Sequence, residues 1–291
     1  MEAAFFDLDK TVIAKASMVA FGGPLYREGL LSRRTILRAL YAQLIYMHLG
    51  ASEQKLARIR DSVLTLTRGW ERQRVREIVR DTLEEVIQPI IHAEALELIA
   101  EHHGAGRRVL LVSASPQEIV EPLAAYLGVD GAIASRARTD AHGRYTGEME
   151  FYAYGPYKAE AMRDLAAAQG IDLAGSYAYS DSYTDVPMLE VVGHPVVVNP
   201  DRVLARLARD RGWEVRQFVL PVPLREGEPV RRKGPIAALA GTAVAAAVTA
   251  GLVWWRIQAR RSPPPSPPPT PWWSLLWRRG RRWPIPLGHP D

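Results

Sequence analysis

The first clear pattern in the chain is a short apolar run that ends in two carboxylates. Phe5 and Phe6 predict the end of a buried strand, and Asp7 and Asp9 follow it with one residue between them. In open parallel sheets, ligands bind at the carboxyl edge of the strands. Two neighbouring acids repel each other unless a cation lies beside them or one of them stays protonated. The pattern therefore indicates a metal site or a shared proton, with a solvated surface turn as the plain alternative.

Residues 17–91 show helical periodicity without the alternation of a strand. The apolar spacing predicts three helices, over Ser32 to Leu49, Ser52 to Leu66 and Trp70 to Ile87. The third helix is expected to stop before Pro89, because proline breaks the hydrogen-bond ladder of a helix. Together these stretches predict a helical insert. Most residues of this insert are expected simply to pack in a core, without a role in function.

From Ala93 onward the chain alternates between strands and helices. A continuous apolar run from Val109 to Val112 is typical of a strand buried on both faces. Further strands are predicted over Tyr177 to Tyr179 and over Pro195 to Val198. Residues 133–151 predict short strands around a turn at His142-Gly143. This order of elements predicts an α/β fold with a parallel sheet and crossover helices.

Polar side chains follow these separate strands, so the topology can bring them to one edge of the sheet. Carboxylates with several waters suit Mg²⁺, and a lysine with a serine hydroxyl suits a phosphate. One carboxylate could attack phosphorus, while a second could protonate the leaving alcohol and then activate water. Taken singly, each residue has a plainer interpretation, such as a helix cap or a solvated charge. The set is Asp7, Asp9, Ser113, Lys158, Asp181 and Asp185.

These residues carry a resemblance to a known family. The chain resembles the haloacid dehalogenase superfamily, in the subgroup similar to phosphoserine phosphatase. The four motifs of the family occur in order and match four stretches of the chain from residue 3 to residue 216. The stretches are Asp7-Leu8-Asp9-Lys10-Thr11, Val109 to Ser113, Gly155-Pro156-Tyr157-Lys158 and Asp181-Ser182-Tyr183-Thr184-Asp185. The resemblance implies a Rossmann-like parallel sheet with an inserted helical cap of the C1 type.

The resemblance also implies a role for each carboxylate. Asp7 would be the nucleophile and a Mg²⁺ ligand. Asp9 would be the general acid and base, with its backbone carbonyl on the metal. Asp181 would bind Mg²⁺ directly, and Asp185 would orient a metal-bound water or Lys158. The cofactor that the resemblance implies is therefore Mg²⁺.

Four residues would serve the phosphoryl group. Thr11 would help order the first loop and lie at the substrate. Ser113 would hydrogen-bond a phosphate oxygen together with the backbone N–H of Ala114. Lys158 would neutralise the phosphoryl group and the Asp7 carboxylate, which lowers the repulsion between an anionic nucleophile and an anionic substrate.

The insert occupies the position of the helical cap of this family. Such a cap would close over the site, exclude water and contact the leaving group. Arg68, Arg72 and Arg74 are candidates to contact an anionic substrate.

Two departures from the phosphoserine phosphatase pattern bear on the substrate. Thr184 stands where those enzymes usually have asparagine, and Ala114-Ser115 stands where they usually have two glycines. Both fit better a sister group of phosphomonoesterases, which includes enzymes similar to phosphocholine phosphatases and domains fused to lipid acyltransferases.

Composition narrows the function further. The chain has no cysteine, which excludes disulfides, thiolate metal sites and a cysteine nucleophile. Residues 1–224 have a net charge of −3, whereas residues 225–291 carry +8. The mildly acidic main part argues against a nucleic-acid partner. No signal peptide is recognisable at the start, so the catalytic part is expected in the cytoplasm.

The last part of the chain predicts a membrane anchor. Residues 234–256 hold no charged side chain until Arg256 and are long enough to cross a bilayer once. A soluble, alanine-rich helix is the alternative. The predicted organisation is a core of residues 1–16 and 92–224, a cap over 17–91, a basic linker over 225–233, a transmembrane helix over 234–256, and a Pro-rich and Trp/Arg-rich tail over 257–291.

The sequence thus predicts a membrane-tethered, Mg²⁺-dependent phosphomonoester hydrolase that works through a phospho-aspartyl intermediate on Asp7. Its substrate is expected to be a small-molecule phosphomonoester, and the anchor makes an ester of a lipid pathway attractive. One alternative is a phosphotransferase that uses an alcohol as acceptor. Another is a non-catalytic scaffold at the membrane, against which the intact acids of the motifs argue.

Overall fold

The structure is a computed structural model that describes residues 1–32 and 53–219, without the side chains of residues 53–59. Several predictions lie outside these residues. They are the helix predicted after Ser32, the linker over 225–233, the transmembrane helix over 234–256 and the tail over 257–291. None of the helices in the described ranges combines the length and the apolar composition that a bilayer crossing requires.

A seven-stranded sheet forms the centre of the described residues, with β1 in the middle and the order β4-β3-β2-β1-β5-β6-β7. All neighbouring strands run parallel except β3 and β4, which form an antiparallel hairpin. The strands are β1 (Ala3–Phe6), β2 (Arg108–Pro116), β3 (Gly131–Thr139), β4 (Tyr145–Phe151), β5 (Tyr177–Ser180), β6 (His194–Val198) and β7 (Glu214–Arg216). The architecture is therefore the α/β, Rossmann-like arrangement that the alternation of elements predicts.

Helices cover both faces of the sheet in the described residues. They are α1 (Ser17–Ala20), α2 (Gly22–Arg27), α3 (Glu53–Thr67), α4 (Arg72–Ile87), α5 (Ala93–Gly104), α6 (Gln117–Leu127), α7 (Pro156–Gln169), α8 (Val186–Glu190) and α9 (Arg202–Arg211). Two single 3₁₀ turns lie at Gln88–Ile90 and Tyr183–Asp185.

The apolar residues of β1 alternate between two cores. Phe6 packs in a cluster with residues of α4, α5 and α6, whereas Phe5 packs on the other face with residues of α7, α8 and α9. Both side chains are fully buried. A strand with helices on both faces needs apolar residues at every position, which explains the unbroken apolar runs of this chain. The polar residue that ends such a run is thereby placed at the edge of the sheet.

Most of the predicted elements are confirmed within two residues, including the β3/β4 hairpin. The prediction that Ser113 follows β2 is wrong, because the strand continues to Pro116 and Ser113 still pairs with Ala134. The pairing shifts between Ser113 and Pro116, so the strand is irregular where its apolar run ends. The short helices α1 and α2 lack an apolar period in the sequence and were not predicted.

The predicted cap is not separate from the core throughout its length. On α4, Val79, Leu83 and Ile87 belong to the same apolar cluster as Phe6. The second half of α4 thus packs as a core element, while α3 contacts the β3/β4 hairpin.

His102 on α5 is a buried titratable group behind the sheet. Its Nε2 lies 2.8 Å from the Tyr179 hydroxyl, and its ring packs edge-on against Phe6 and Tyr179. Its Nδ1 has no hydrogen-bond partner in the described part of the chain. Burial, together with the nearby charge of Arg107, lowers the pKa of His102 to about 4. The fold therefore holds a neutral imidazole.

We expect this histidine to destabilise the fold in mild acid. Because its pKa is lower in the folded state, its contribution is present above about pH 6.5 and is lost as the pH falls towards 4. Between pH 7 and pH 5 the free energy of unfolding should fall by about 1–2 kcal/mol more in the wild type than in His102→Gln. Urea unfolding at the two pH values measures this. A variant that lacks the exposed His142 instead should lose as much free energy of unfolding between the two pH values as the wild type does. If His102→Gln loses the same amount as this control, the assignment to His102 is contradicted.

Candidate active site

The loop after β1 is held by a tight turn over buried apolar residues. The backbone N–H of Asp7 still bonds to the Tyr179 carbonyl of β5 at 2.9 Å. The backbone N–H groups of Val12 and Ile13 then donate to the carbonyl of Leu8 at 3.0 and 3.1 Å. Leu8, Val12 and Ile13 are fully buried. These anchors fix the direction of the polar side chains between them.

Lys158 joins two strand ends through its ammonium. Its Nζ donates to Asp7 Oδ1 at 2.6 Å and to Asp185 Oδ2 at 2.7 Å. The Lys158 side chain is 3% exposed, and the side chain of Asp185 is as buried. The sequence predicted this meeting of residues 7, 158 and 185, which are far apart along the chain.

The charges of this trio are tightly coupled. Burial disfavours the charged ammonium of Lys158, but Asp185 and Asp7 outweigh burial and raise its pKa. Burial raises the pKa of Asp7, with Lys158 opposing that shift and Asp185 adding to it. Lys158 is thus held as a cation between two carboxylates.

A glycine and a proline aim Lys158 into the site. Gly155 has φ 56° and ψ −127°, a conformation that glycine adopts readily and other residues avoid. Pro156 then opens α7, where its missing N–H costs nothing. Lys158 therefore lies in the first turn of α7 and points to the sheet edge.

Ser180 supports the acid at the end of the fourth motif. Its Oγ donates to Asp185 Oδ2 at 2.8 Å, the oxygen that also faces Lys158. Ser182 opens the 3₁₀ turn that carries Asp185, since its Oγ accepts from the backbone N–H of Thr184 at 3.3 Å. Sequence reasoning missed Ser180, although a hydroxyl at the end of the apolar strand β5 was the available signal.

Thr11 links the first and fourth motifs. Its Oγ1 lies 3.4 Å from Asp7 Oδ2 and accepts the backbone N–H of Asp181 at 3.1 Å. Thr11 is fully buried, so its hydroxyl orders the two loops. The carboxyl of Asp181 is partly exposed, and burial raises its pKa to about 6, with the negative charge of Asp185 adding to the shift and Lys10 opposing it.

Asp9 faces a different group of residues from Asp7. Its Oδ1 accepts the backbone N–H of Ser17 at 2.8 Å, and its Oδ2 accepts the hydroxyl of Ser115 at 3.0 Å. The two serine hydroxyls lie 2.7 Å apart. Sequence reasoning missed both serines, because nothing in the local pattern shows that they meet Asp9. The two acids of the first motif therefore have separate surroundings, as two separate chemical roles require.

The end of β2 is fixed by serine hydroxyls. Ser113 is buried, and its Oγ accepts the backbone N–H of Ser115 at 3.1 Å. Ser135 donates to the carbonyl of Ala114 at 2.7 Å and accepts the backbone N–H of Ala153 at 3.1 Å. The orientation of the peptide groups around Ala114 is thus set by the neighbouring strand β3.

Of the three arginines suggested as substrate contacts, Arg74 has acidic partners, and the other two lie beside the β3/β4 hairpin. Arg74 pairs with Glu28 at 2.5 Å and with Glu77 at 3.7 Å. The backbone N–H of Arg72 donates to Gly143 in the β3/β4 turn at 3.0 Å, and Arg68 borders the same hairpin. No described contact joins any of the three to the carboxylates of the first and fourth motifs.

The donor set suits a magnesium ion. Asp7 and Asp181 come from neighbouring strand ends and share Thr11 as a hydrogen-bond neighbour, and the backbone carbonyl of Asp9 lies on the same loop. Within the described ranges no group of three or more His, Asp or Glu side chains forms a metal cage. Mg²⁺ keeps several waters and needs only one or two carboxylates, so the residues present fit the ion.

The family can be assigned by comparison. Residues 4–190 match the model of the haloacid dehalogenase-like hydrolases. The chain belongs to this family. It is 52% identical over 260 residues to an "inhibition of morphological differentiation protein" of Streptomyces azureus. The aligned region covers 89% of this chain and 94% of the relative. A "probable phosphatase" of Mycobacterium tuberculosis is 47% identical over 89% of both chains.

A further relative and two solved structures are also similar to the chain. The phosphoserine phosphatase SerB1 of Mycobacterium tuberculosis is 38% identical over 74% of this chain and 70% of its own. A solved protein of unknown function from Bordetella pertussis Tohama I has a TM-score of 0.64 and 29% identity, over 74% of this chain and 97% of that one. A phospho-aspartyl intermediate analogue of phosphoserine phosphatase has the same fold, with a TM-score of 0.53 and 19% identity over 75% of this chain and 92% of that one. The chain is an enzyme, a phosphatase of the haloacid dehalogenase-like hydrolases.

Proposed function

We propose that the chain is a Mg²⁺-dependent phosphomonoester hydrolase that acts through an aspartyl-phosphate on Asp7. The observation that carries this proposal is the buried ammonium of Lys158, 2.6 Å from Asp7 and 2.7 Å from Asp185. A buried cation against the nucleophile lowers the repulsion that an approaching phosphate dianion meets. The substrate is a small-molecule phosphomonoester.

The first step transfers the phosphoryl group to the protein. A carboxylate oxygen of Asp7 forms a bond to phosphorus while the bond from phosphorus to the ester oxygen breaks. The proton on Asp9 goes to the departing alkoxide, which leaves as the alcohol. Ser17 and Ser115 hold the Asp9 carboxyl for this transfer.

The second step returns Asp7 to its starting form. Asp9 is now a base and takes a proton from a water molecule, which attacks the phosphorus. The bond between phosphorus and Asp7 breaks, and inorganic phosphate leaves. Lys158 balances the negative charge of the phosphoryl oxygens in both steps, together with the backbone N–H of Ala114 and the hydroxyl of Ser113.

Asp7 and Asp181 are the side chains that would hold the metal, with the backbone carbonyl of Asp9. Bound Mg²⁺ supplies positive charge that stabilises the negative charge on the phosphoryl oxygens. Asp185 keeps Lys158 in place, and Ser180 keeps Asp185 in place.

The test is phosphate release by the full chain from a panel of phosphomonoesters. We expect release with Mg²⁺, none with a chelator, and none from Asp7→Asn, because a neutral amide cannot attack phosphorus. The matched control is Asp164→Asn, which removes an exposed carboxylate from α7 and should keep the wild-type rate. Release that survives Asp7→Asn would refute the assigned nucleophile. Phosphate that appears on an added alcohol instead of in solution would favour the phosphotransferase.

A further inference from the structure

An apolar cavity of about 270 Å³ lies next to the catalytic loop. Its described walls come from α1, α2, α3, the start of α4, the end of β2, α6 and the β3/β4 hairpin. Aromatic and aliphatic side chains make up most of the lining, among them Val63, Trp70, Tyr145, Met149 and Tyr152. A cavity of about 150 Å³ is enough for benzene, so this larger cavity can hold a group with more atoms than a benzene ring.

Part of the cavity wall contacts the proposed proton donor. Ala114 and Ser115 are part of its wall, and Ser115 donates to the Asp9 carboxyl at 3.0 Å. The proposed proton donor therefore lies just behind the cavity wall.

Tyr152 forms another part of the cavity wall. Burial raises the pKa of Tyr152, while the positive charges of Arg60 and Lys158 act in the opposite direction. Tyr152 thus lines the cavity while it feels the charge of the catalytic lysine. Ala114 and Ser115 are thus the described lining residues through which the cavity wall reaches the proposed catalytic groups.

The two charged residues of the described cavity lining already have partners. Arg60 donates through Nε and Nη2 to Asp61 at 3.0 and 2.8 Å, and its guanidinium lies 5.5 Å from the centre of the Tyr152 ring. Glu118 is 1% exposed and accepts the amide of Gln117 at 3.1 Å. An amino acid in the cavity would have to pair its ammonium and its carboxylate with two groups that already have these partners, and buried charges without partners are costly.

We propose that this cavity binds the organic part of the substrate, and that it selects phosphomonoesters of apolar alcohols over phosphoserine. The inference rests on the proposed function and adds the substrate class. Selection arises because each methylene group that moves from water into the cavity strengthens binding of the transition state. Each such group should raise kcat/KM about fourfold.

The test is a series of ethyl, butyl and hexyl phosphate beside O-phosphoserine, hydrolysed by the full chain with Mg²⁺. These linear alcohols have similar leaving-group reactivity, so the series reports on binding. We expect kcat/KM to rise about fourfold per methylene until the cavity is full, with phosphoserine below butyl phosphate. A flat series with phosphoserine preferred would overturn the inference.

Two variants separate the cavity from the catalytic machinery. Val63→Trp fills the cavity and should remove the rise of kcat/KM with chain length. Thr65→Trp adds the same side chain to the exposed face of α3 and should keep the whole series. Met149→Ala enlarges the cavity, and it should move the plateau to longer chains, which keeps the test decisive if the tryptophan variant does not fold.

The outcomes distinguish the two proposals. Hydrolysis that needs Asp7 but shows no rise with chain length, or falls equally for every ester in Val63→Trp, overturns the cavity assignment and leaves the phosphatase standing. The absence of any Asp7-dependent hydrolysis overturns both.

Discussion

Asp9→Asn should release one equivalent of nitrophenol from p-nitrophenyl phosphate in a rapid burst and then turn over very slowly. Nitrophenolate is a good leaving group that needs no proton, so the attack by Asp7 can proceed without the acid. The aspartyl-phosphate then persists, because no base activates water, and general acid–base catalysis accounts for about 10²–10⁴ in rate. Stopped-flow absorbance measures the burst and the steady state in one experiment.

The matched comparison is Asp7→Asn with the same ester. That variant should show no burst at all, because it lacks the attacking oxygen. With an alkyl phosphate, whose alkoxide needs the proton, Asp9→Asn should show no burst either. Equal bursts from both variants, or a full steady-state rate in Asp9→Asn, would refute the division of roles between the two acids.

Lys158→Met should destabilise the metal-free protein by about 3–5 kcal/mol, because it leaves Asp7 and Asp185 buried without their cation. Methionine has a length and volume close to those of lysine, so the loss reports on charge more than on packing. The free energy of unfolding in urea with a chelator measures it. Lys15→Met, at an exposed position, should be close to neutral.

The double variant Lys158→Met/Asp185→Asn makes this prediction specific. Replacing the acid by an amide removes one of the two unpaired charges, so the double variant should be more stable than Lys158→Met alone. If the destabilisation of the double variant equals the sum of the values for Lys158→Met and Asp185→Asn, the two residues are energetically independent. That result would contradict the interaction that their hydrogen bond indicates.

The sheet and the acidic positions of the site could be predicted because both leave a local signal. A continuous apolar run marks each buried parallel strand, and a carboxylate at its end marks the edge. Lys158 was found through the motif around it. In contrast, the contact between Ser115 and Asp9 joins residues 106 positions apart, and no periodic pattern encodes such a meeting.

Ser17 shows the same limit at short range. Its N–H reaches Asp9 only because α1 starts directly behind the catalytic loop, and α1 has four residues, too few to show an apolar period. The length of β2 was underestimated for a related reason. Pairing with β3 continues beyond Val112 at Ser113 and Pro116, and backbone pairing does not depend on an apolar run.

The two outermost strands of the described sheet also bear on whether another chain can add a strand to it. An exposed strand edge can recruit a strand of another molecule and start aggregation. On β4, Glu148 and Glu150 form cross-strand ion pairs with arginines of β3 at 3.1 and 3.3 Å, and the other outer strand, Glu214–Arg216, has only three residues. A strand added to the hairpin side would crowd these carboxylates, and one added to the opposite side would find few backbone groups to pair with. Both borders of the sheet thus discourage strand addition.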